Sequence, residues 1–189
     1  MQTYLEAVNT LLAVINEAPV MEIDDDHPDV QSALNAWNEF SREIQGIGWW
    51  YNQETWQLIP QTNGEVGIPS NVLQINGPST NYVKRSGKLY DLENHTYDLS
   101  LAGSSDLLIT FTVEWPIDDL PVTIYNYILA KAKLQMLVNL AYDANKERTI
   151  KEEIAIREFQ AKREHLRFTG ANRLSVGPAQ NMLSKQPTR

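Results

Sequence analysis

Apolar residues recur at three- and four-residue steps in two stretches near the start of the chain. In residues 3–17 they are Leu5, Val8, Leu12 and Ile15, with Leu11 beside them. In residues 28–45 they are Val30, Ala33, Leu34, Trp37, Phe40 and Ile44. This spacing is the period of one helix face, so two amphipathic helices are predicted. Pro19 ends the first helix, and Gly46 and Gly48 end the second.

The second helix follows an acidic run, Asp24-Asp25-Asp26-His27-Pro28-Asp29. Proline suits the first helical turn, and carboxylates are favourable beside the positive end of a helix. A metal site is the alternative, because oxygen and imidazole ligands lie close together. The run lacks the alternating ligands, central glycine and closing glutamate of an EF-hand calcium loop. The sequence therefore favours a solvated helix start and predicts no metal site.

The pattern changes to alternation between Trp49 and Asp119. Turn residues separate short apolar runs there, at Asn63-Gly64, Asn76-Gly77-Pro78, Ser86-Gly87 and Gly103-Ser104-Ser105. Residues 82–85 and 88–92 flank one of these turns as the strands of a hairpin would. The clearest predicted strand is Leu107 to Trp115. We expect one face of this strand to be buried, with Ile109, Phe111, Val113 and Trp115. We expect the other face to be exposed to solvent, with Thr110, Thr112 and Glu114.

Three tryptophans, Trp49, Trp50 and Trp56, lie where the helical pattern gives way to the strand pattern. Burying a large apolar side chain contributes about 1.5–3 kcal/mol, so three indoles are costly to leave in water. We expect them to form the junction that seats a β module on a helical platform. The alternative is that these rings, with Tyr51, stack sugars or bases.

Helical patterns return after the β-rich stretch. An aspartate of Asp118-Asp119-Leu120-Pro121 is the expected cap of a helix from Val122 to Tyr142. This helix has little polar surface and should be central. A heavily charged helix is predicted from Thr149 to Phe168, with other subunits as its expected partners. Its thin apolar stripe is Ile150, Ile154, Ala161 and His165.

The tail from Thr169 to Arg189 contains no acid and shows no apolar periodicity. Such a segment gains little by folding alone, but it can add hydrogen bonds and apolar anchors along a partner. We therefore interpret it as a docking arm that becomes ordered only against a partner. Its candidate docking residues are Arg173, Leu174, Val176, Met182, Leu183, Lys185 and Arg189.

These patterns together predict an α+β fold, namely an antiparallel helical bundle with an inserted small antiparallel β module and an extended C-terminal tail. The platform is discontinuous and comprises residues 1–50 and 119–168. The β-rich insert comprises residues 51–118, and the tail comprises residues 169–189.

Charge is distributed unevenly along the chain. The net charge is -8, but residues 1–120 carry -14 and residues 121–189 carry +6. Such asymmetry favours different binding partners for the two parts. The alternative is that the charges only keep the surface of each part hydrated.

There is no cysteine, which excludes disulfides, thiol catalysis and sulfur-ligated zinc. No apolar run has the length of a membrane span, and residues 1–6 lack the character of a signal peptide, so we expect no secretion.

No catalytic constellation emerges from the sequence, and no cofactor is predicted. His95 and His165 have no accompanying nucleophile motif such as Gly-x-Ser-x-Gly, which favours surface or helix-face roles for both. Lys84-Arg85-Ser86-Gly87-Lys88 could bind phosphate, but it lacks the spacing of a nucleotide-binding loop. A basic hairpin tip is the better interpretation.

Several segments, in their order and spacing, resemble those of the tail tubular protein A family of short-tailed bacteriophages. They are Ala7-Val8-Asn9 through Ala18-Pro19-Val20, Ser41-Arg42-Glu43-Ile44-Gln45 into Gly48-Trp49, Ile68-Pro69-Ser70-Asn71-Val72-Leu73, Lys88-Leu89-Tyr90-Asp91, and Leu120-Pro121 through Tyr127-Ile128-Leu129-Ala130. Where that family usually has an Ile-Gly-Glu turn, this chain has Ile15-Asn16-Glu17.

The resemblance implies a non-enzymatic virion protein, an adaptor or head-to-tail connector. It implies a twelve-subunit ring between the portal protein and the nozzle protein, tail tubular protein B, with tail fibres as further possible neighbours. Genomic DNA would pass through its channel without specific binding, and assembly would occur in the host cytoplasm. The residues alone leave one alternative open, a carbohydrate- or nucleic-acid-binding module that uses the tryptophan-rich insert.

Overall fold

The structure, a computed structural model, describes residues 3–23, 26–76, 81–100 and 107–170. The helices are α1 (Tyr4–Val14), α2 (Pro28–Gln45), α3 (Val122–Leu140) and α4 (Ala144–Phe168). The strands are β1 (Gln53–Leu58), β2 (Val72–Asn76), β3 (Tyr82–Arg85), β4 (Lys88–Asp91) and β5 (Leu107–Val113). The predicted α+β class is confirmed.

Both N-terminal helices begin with side chains that bind their first free amides. Thr3 and Glu6 form a reciprocal capping box at α1. At α2, His27 Nδ1 accepts a hydrogen bond from the Val30 amide at 3.4 Å, and Pro28 occupies the first turn. The predicted helix start at Pro28 is therefore confirmed. Asp24 and Asp25 lie outside the described residues.

Helix α3 is the centre of the bundle, as predicted, and contacts α1, α2 and α4. Its side chains Ile124, Ile128 and Ala132 are fully buried. Two pairs with α2 run in opposite sequence order: Lys131 Nζ lies 3.1 Å from Glu43 Oε1, and Gln135 Nε2 donates to Glu39 Oε2 at 2.9 Å. These two helices are therefore antiparallel.

The predicted aspartate cap of α3 is wrong. Asp118 and Asp119 lie in a short 3-10 turn, Ile117–Asp119, and Pro121 occupies the cap position without a side-chain hydrogen bond. Its carbonyl oxygen instead accepts the amides of Ile124 and Tyr125, at 3.0 and 2.9 Å. Proline is suited to this position because its fixed φ leads the chain into the helix. The helix also ends at Leu140, two residues earlier than predicted.

The β-rich part contains a three-stranded antiparallel sheet in the order β1-β5-β2 and the predicted hairpin of β3 and β4. One face of β5 is buried through Leu107, Ile109, Phe111 and Val113. The other face differs from the prediction, because Thr112 is fully buried while Leu108 is 60% exposed. Thr112 is covered where β5 approaches the end of α2, since its hydroxyl lies near Gly48.

Two hydrophobic clusters divide the described residues. The first joins the four helices and includes Trp37, Trp49, Ile117 and Leu120. The second contains the buried faces of the strands together with Leu89 and Leu99. The assignment of platform and insert as separate folding modules remains a prediction. No helix within the described ranges combines the length and apolar character needed to cross a membrane.

Candidate assembly surface

Helix α4 is the most highly charged helix, and it begins five residues earlier than predicted, at Ala144. Asp143 caps it, because one carboxylate oxygen accepts the amides of Asn145 and Lys146 at 2.8 and 3.0 Å. These hydrogen bonds, Lys146 first, hold the pKa of Asp143 below its ordinary value. Sequence periodicity missed this start because the first turns of α4 carry almost no apolar residues.

Ion pairs at four-residue spacing line α4 between residues 147 and 162. They are Glu147–Lys151, Arg148–Glu152, Glu153–Arg157 and Glu158–Lys162. Exposed pairs of this kind contribute weakly and are screened by salt, but together they favour helix over coil. The contact between Glu153 and Arg157 is the longest of the four, at 3.8 Å.

The inner face of α4 packs on α3 of the same chain, so the expected contacts with other subunits would have to use its outer face. Ile150 and Ala161 are buried there. Lys133 Nζ lies 3.2 Å from both carboxylate oxygens of Glu153, near the middle of the two helices. Thr123, at the start of α3, donates to Glu164, near the end of α4. The order of these contacts along the two helices shows that α3 and α4 are antiparallel.

The outer face of α4 carries an apolar row that the subunit's own core does not use. Ile156, Phe159 and Leu166 are 56%, 66% and 54% exposed. Together with the exposed Arg163 they follow steps of three, four and three residues, which places them on one face. Apolar rows of this kind on a surface helix are typical of protein interfaces. We define Ile156, Phe159, Arg163 and Leu166 as the outer stripe.

The end of α4 is fixed against the tryptophans that follow α2. The ring of Phe168 stacks on Trp50 with centroids 5.5 Å apart and planes 6° apart. His165 meets Trp49 edge to face at 5.7 Å. Gly170 then leaves the helix with φ of +60°, a conformation that glycine adopts without strain. The chain beyond α4 therefore starts from a fixed point beside Trp50.

A buried asparagine connects the end of α2 to the sheet. Asn52 is fully buried, and its Oδ1 accepts the Trp49 amide at 2.8 Å. Its Nδ2 donates to the carbonyl oxygens of Gln45 and Val113 at 2.9 and 3.0 Å. One side chain thus satisfies backbone groups from the helix, the connection and β5 at once.

Gln45 completes the connection from the helix side. Its Oε1 accepts the Trp115 amide at 2.8 Å, and its Nε2 donates to the Trp115 carbonyl at 3.1 Å and to Ser41 Oγ at 2.9 Å. The indole of Trp49 donates to the Ile44 carbonyl at 2.7 Å. We refer to Gln45, Trp49 and Asn52 as the joint.

Sequence reasoning placed Trp49 at the junction but missed Gln45 and Asn52. A signal was available, since Ser41 and Gln45 continue the core-facing spacing of α2 with polar residues. Polar residues at core positions generally mark buried hydrogen bonding. Trp56 is not part of the joint: its ring packs on Phe111 at 4.8 Å within the β cluster.

The three cations of the β3–β4 hairpin already have partners within the protein. Lys84 Nζ donates to three backbone carbonyl oxygens at 2.8–3.3 Å. Lys88 pairs with Glu65 at 2.7 Å, and the Arg85 guanidinium lies 4.3 Å from the centre of the Tyr90 ring. This arrangement stabilises the hairpin and favours a structural role over phosphate binding.

The remaining candidate residues are not gathered into one site. His95 lies in a turn with φ of +52°, far along the chain from the aromatic contacts of His165. Among the described residues, no group of three or more His, Asp or Glu side chains could hold a metal ion. The candidate docking residues, which lie between 173 and 189, are outside the described residues.

Comparison with known proteins shows similarity across nearly all of these elements. A family model described as tail tubular protein matches residues 5–172, a range that begins at the second residue of α1 and extends past the end of α4. Tail tubular protein A of Klebsiella phage KP34 is 28% identical over 141 residues, which cover 70% of this chain and 73% of that protein.

Proposed function

Because the chain belongs to the tail tubular protein family, and is therefore a structural protein of a phage tail, we propose that it forms the adaptor ring between the portal protein and the tail nozzle protein. The observation that carries this proposal is the family match over residues 5–172. The protein is located in the virion, and we place it at the portal-proximal end of the tail after assembly in the host cytoplasm.

Two structural features suit a ring subunit. A ring needs contact surfaces that the subunit's own core leaves free, and the outer stripe of α4 is such a surface. It also needs a subunit whose parts keep a fixed relation, and the joint supplies buried hydrogen bonds between α2 and the sheet. Twelve copies with a central channel, as the family resemblance implies, would use both features.

The charge distribution is suited to a channel through which DNA passes. Residues 1–120 carry a net charge of -14, and like charge opposes tight contacts with phosphates. DNA would slide past such a surface without specific binding. The proposal assigns the protein no catalytic step and no cofactor.

The alternative of a stacking site for sugars or bases has less support. Trp49 is only 3% exposed. Trp50 is stacked on Phe168, and Trp56 packs on Phe111. A stacking platform needs indole faces that are free to meet a ligand. These rings are instead used in internal packing.

Co-expression with the portal protein tests the adaptor proposal. The complex should be stable on size-exclusion chromatography, and native mass spectrometry should find twelve copies of the chain on each portal ring. Addition of the nozzle protein should then extend the same complex. Recovery of the chain with the nozzle or tail fibres but never with the portal would contradict a portal-proximal position.

A further inference from the structure

The outer stripe of α4 combines apolar side chains with positive charge. Arg163 lies between Phe159 and Leu166 along the stripe, and Arg167 follows one turn later. Glu164, the acid in this region, is turned towards Thr123 of α3. The solvent side of the last two turns is therefore apolar and cationic, and its best partner is apolar and acidic.

The connection between α1 and α2 has that complementary character. Met21 is 93% exposed and Ile23 is 39% exposed; the exposed Glu22 lies between them, and the exposed Glu17 precedes them. We refer to residues 17–23 as the acidic loop. Among the described residues, its Met21 is the most exposed large apolar side chain.

The acidic loop is held in a defined position on α1. The side chain of Asn9 accepts the Val20 amide at 2.8 Å and donates to the Val20 carbonyl at 3.0 Å. Because both backbone groups of Val20 are fixed, Met21 is presented to solvent from a defined backbone. A fixed loop loses less conformational entropy on binding than a mobile one.

We propose that the outer stripe of one subunit binds the acidic loop of the next copy of this chain. The inference rests on the proposed ring and adds the two surfaces that build it. Two different patches in contact make a head-to-tail interface, which closes into a ring when the rotation between copies closes. Pairing of the stripe with itself would instead bring two cationic surfaces together, which is less favourable than pairing with the acidic loop.

Cysteine cross-linking tests this pairing directly, because the chain contains no cysteine. Met21→Cys and Phe159→Cys are prepared as separate full-length variants, each at an exposed position that should tolerate the change. They are assembled with the portal protein, singly and mixed, and treated with a short bis-maleimide. The mixture should give linked dimers, while each variant alone should give only monomers. The matched control is an equal mixture of Ile59→Cys and Phe159→Cys. Ile59 lies on the β part and is 81% exposed.

The outcomes separate this inference from the adaptor proposal. If native mass spectrometry shows several copies in one particle but the mixture does not cross-link above the control, the inference is overturned and the ring stands. Cross-linking of Phe159→Cys alone would also overturn it, because it would indicate a stripe-to-stripe contact. If no particle contains more than one copy, both the ring and this interface are refuted.

Affinity gives an independent measure of the same contact. Phe159→Ala should weaken incorporation into the portal complex by about tenfold or more, as expected for a buried aromatic anchor at an interface. Ile59→Ala should leave incorporation unchanged. Both variants should keep the thermal midpoint of the isolated wild-type chain, because both side chains are exposed in the subunit. Equal incorporation of the two variants would contradict the proposed role of Phe159.

Discussion

At the scale of single residues, the joint depends on two amide side chains whose hydrogen-bond partners no sequence pattern identifies. Gln45 and Asn52 form hydrogen bonds to backbone groups of Trp115 and Val113, which lie 70 and 61 positions further along the chain. Periodicity predicts the face on which a residue lies, but it contains no information about such distant partners. The apolar part of the joint, Trp49, was predictable because large indoles rarely stay exposed.

Replacement of Asn52 tests the joint. Asn52→Ala removes three hydrogen bonds and takes the side-chain partner from the buried Trp49 amide and the Val113 carbonyl, while the Gln45 carbonyl keeps its hydrogen bond from the Gly48 amide. Each unsatisfied buried group costs about 1–3 kcal/mol, so the free energy of unfolding should fall by at least about 2 kcal/mol. Urea denaturation measures this change. Asn38→Ala, on the exposed side of α2, is the matched control and should have little effect; similar losses for the two variants would contradict the assigned role.

The cap of α4 gives a prediction about pH. Because the backbone amides of Lys146 and Asn145 lower the pKa of Asp143, the carboxylate stabilises α4 above its unfolded pKa. That stabilisation should be lost as pH falls from the ordinary aspartate range through the lowered pKa. Asp143→Asn keeps a capping oxygen but does not titrate. The thermal midpoint of the wild type relative to this variant should therefore decrease as pH falls through the ordinary aspartate range and below it. A pH-independent difference would contradict the prediction.

At the scale of elements, the sequence predicted all four helices and the β3–β4 hairpin, while several element ends differed from prediction. The ends of α3 and α4 depend on caps and turns, not on apolar periodicity: Pro121 replaces the expected aspartate, and Asp143 begins α4 inside a charged stretch. The burial of Thr112 was also unpredictable, because the chain around Gly48, which is distant in sequence, packs over that end of β5.

The strand register allows a sharp test of the platform as a folding unit. Gln53 and Thr112 are paired across β1 and β5, so a two-residue Asn-Gly turn can replace residues 54–111. The joint residues and Ile117 remain in place, and the helical cluster should fold without the second cluster. The shortened protein should be soluble and helical by circular dichroism, with a cooperative thermal transition. An unfolded product would show that the platform needs the β part, and that the chain folds as a single unit.

At the scale of the whole molecule, the uneven charge predicts weak binding to DNA. The -14 of residues 1–120 repels phosphates, and the +6 of residues 121–189 allows contacts that salt should weaken. Fluorescence anisotropy with labelled duplex DNA should therefore find no tight complex at physiological salt and only weak, salt-sensitive binding below it. Nanomolar affinity at physiological salt would contradict a sliding channel and favour a nucleic-acid-binding function.

The C-terminal tail supplies the last prediction, which concerns attachment to the portal. Residues 171–189 follow the fixed end of α4, and they contain no acid but include the cations Arg173, Lys185 and Arg189. The family match ends at residue 172, so most of this segment lies outside the part shared with the family model. We propose that it is a docking arm whose apolar residues and cations bind an acidic groove on the portal or on an adjacent subunit.

Deletion of residues 171–189 separates docking from folding. The helical cluster consists of residues before the deletion, so the thermal midpoint should change little. Incorporation into portal-containing particles, measured by co-purification, should be abolished. A second variant, with Arg173, Lys185 and Arg189 replaced by glutamine, should show only a partial loss, since it keeps the apolar anchors Leu174, Val176, Met182 and Leu183. This loss relative to the wild type should shrink as salt is raised, because salt screens the cationic contacts that only the wild type makes. If the truncated chain joins the portal with wild-type efficiency, attachment does not depend on the tail, and the exposed side of α4 becomes the surface to test next.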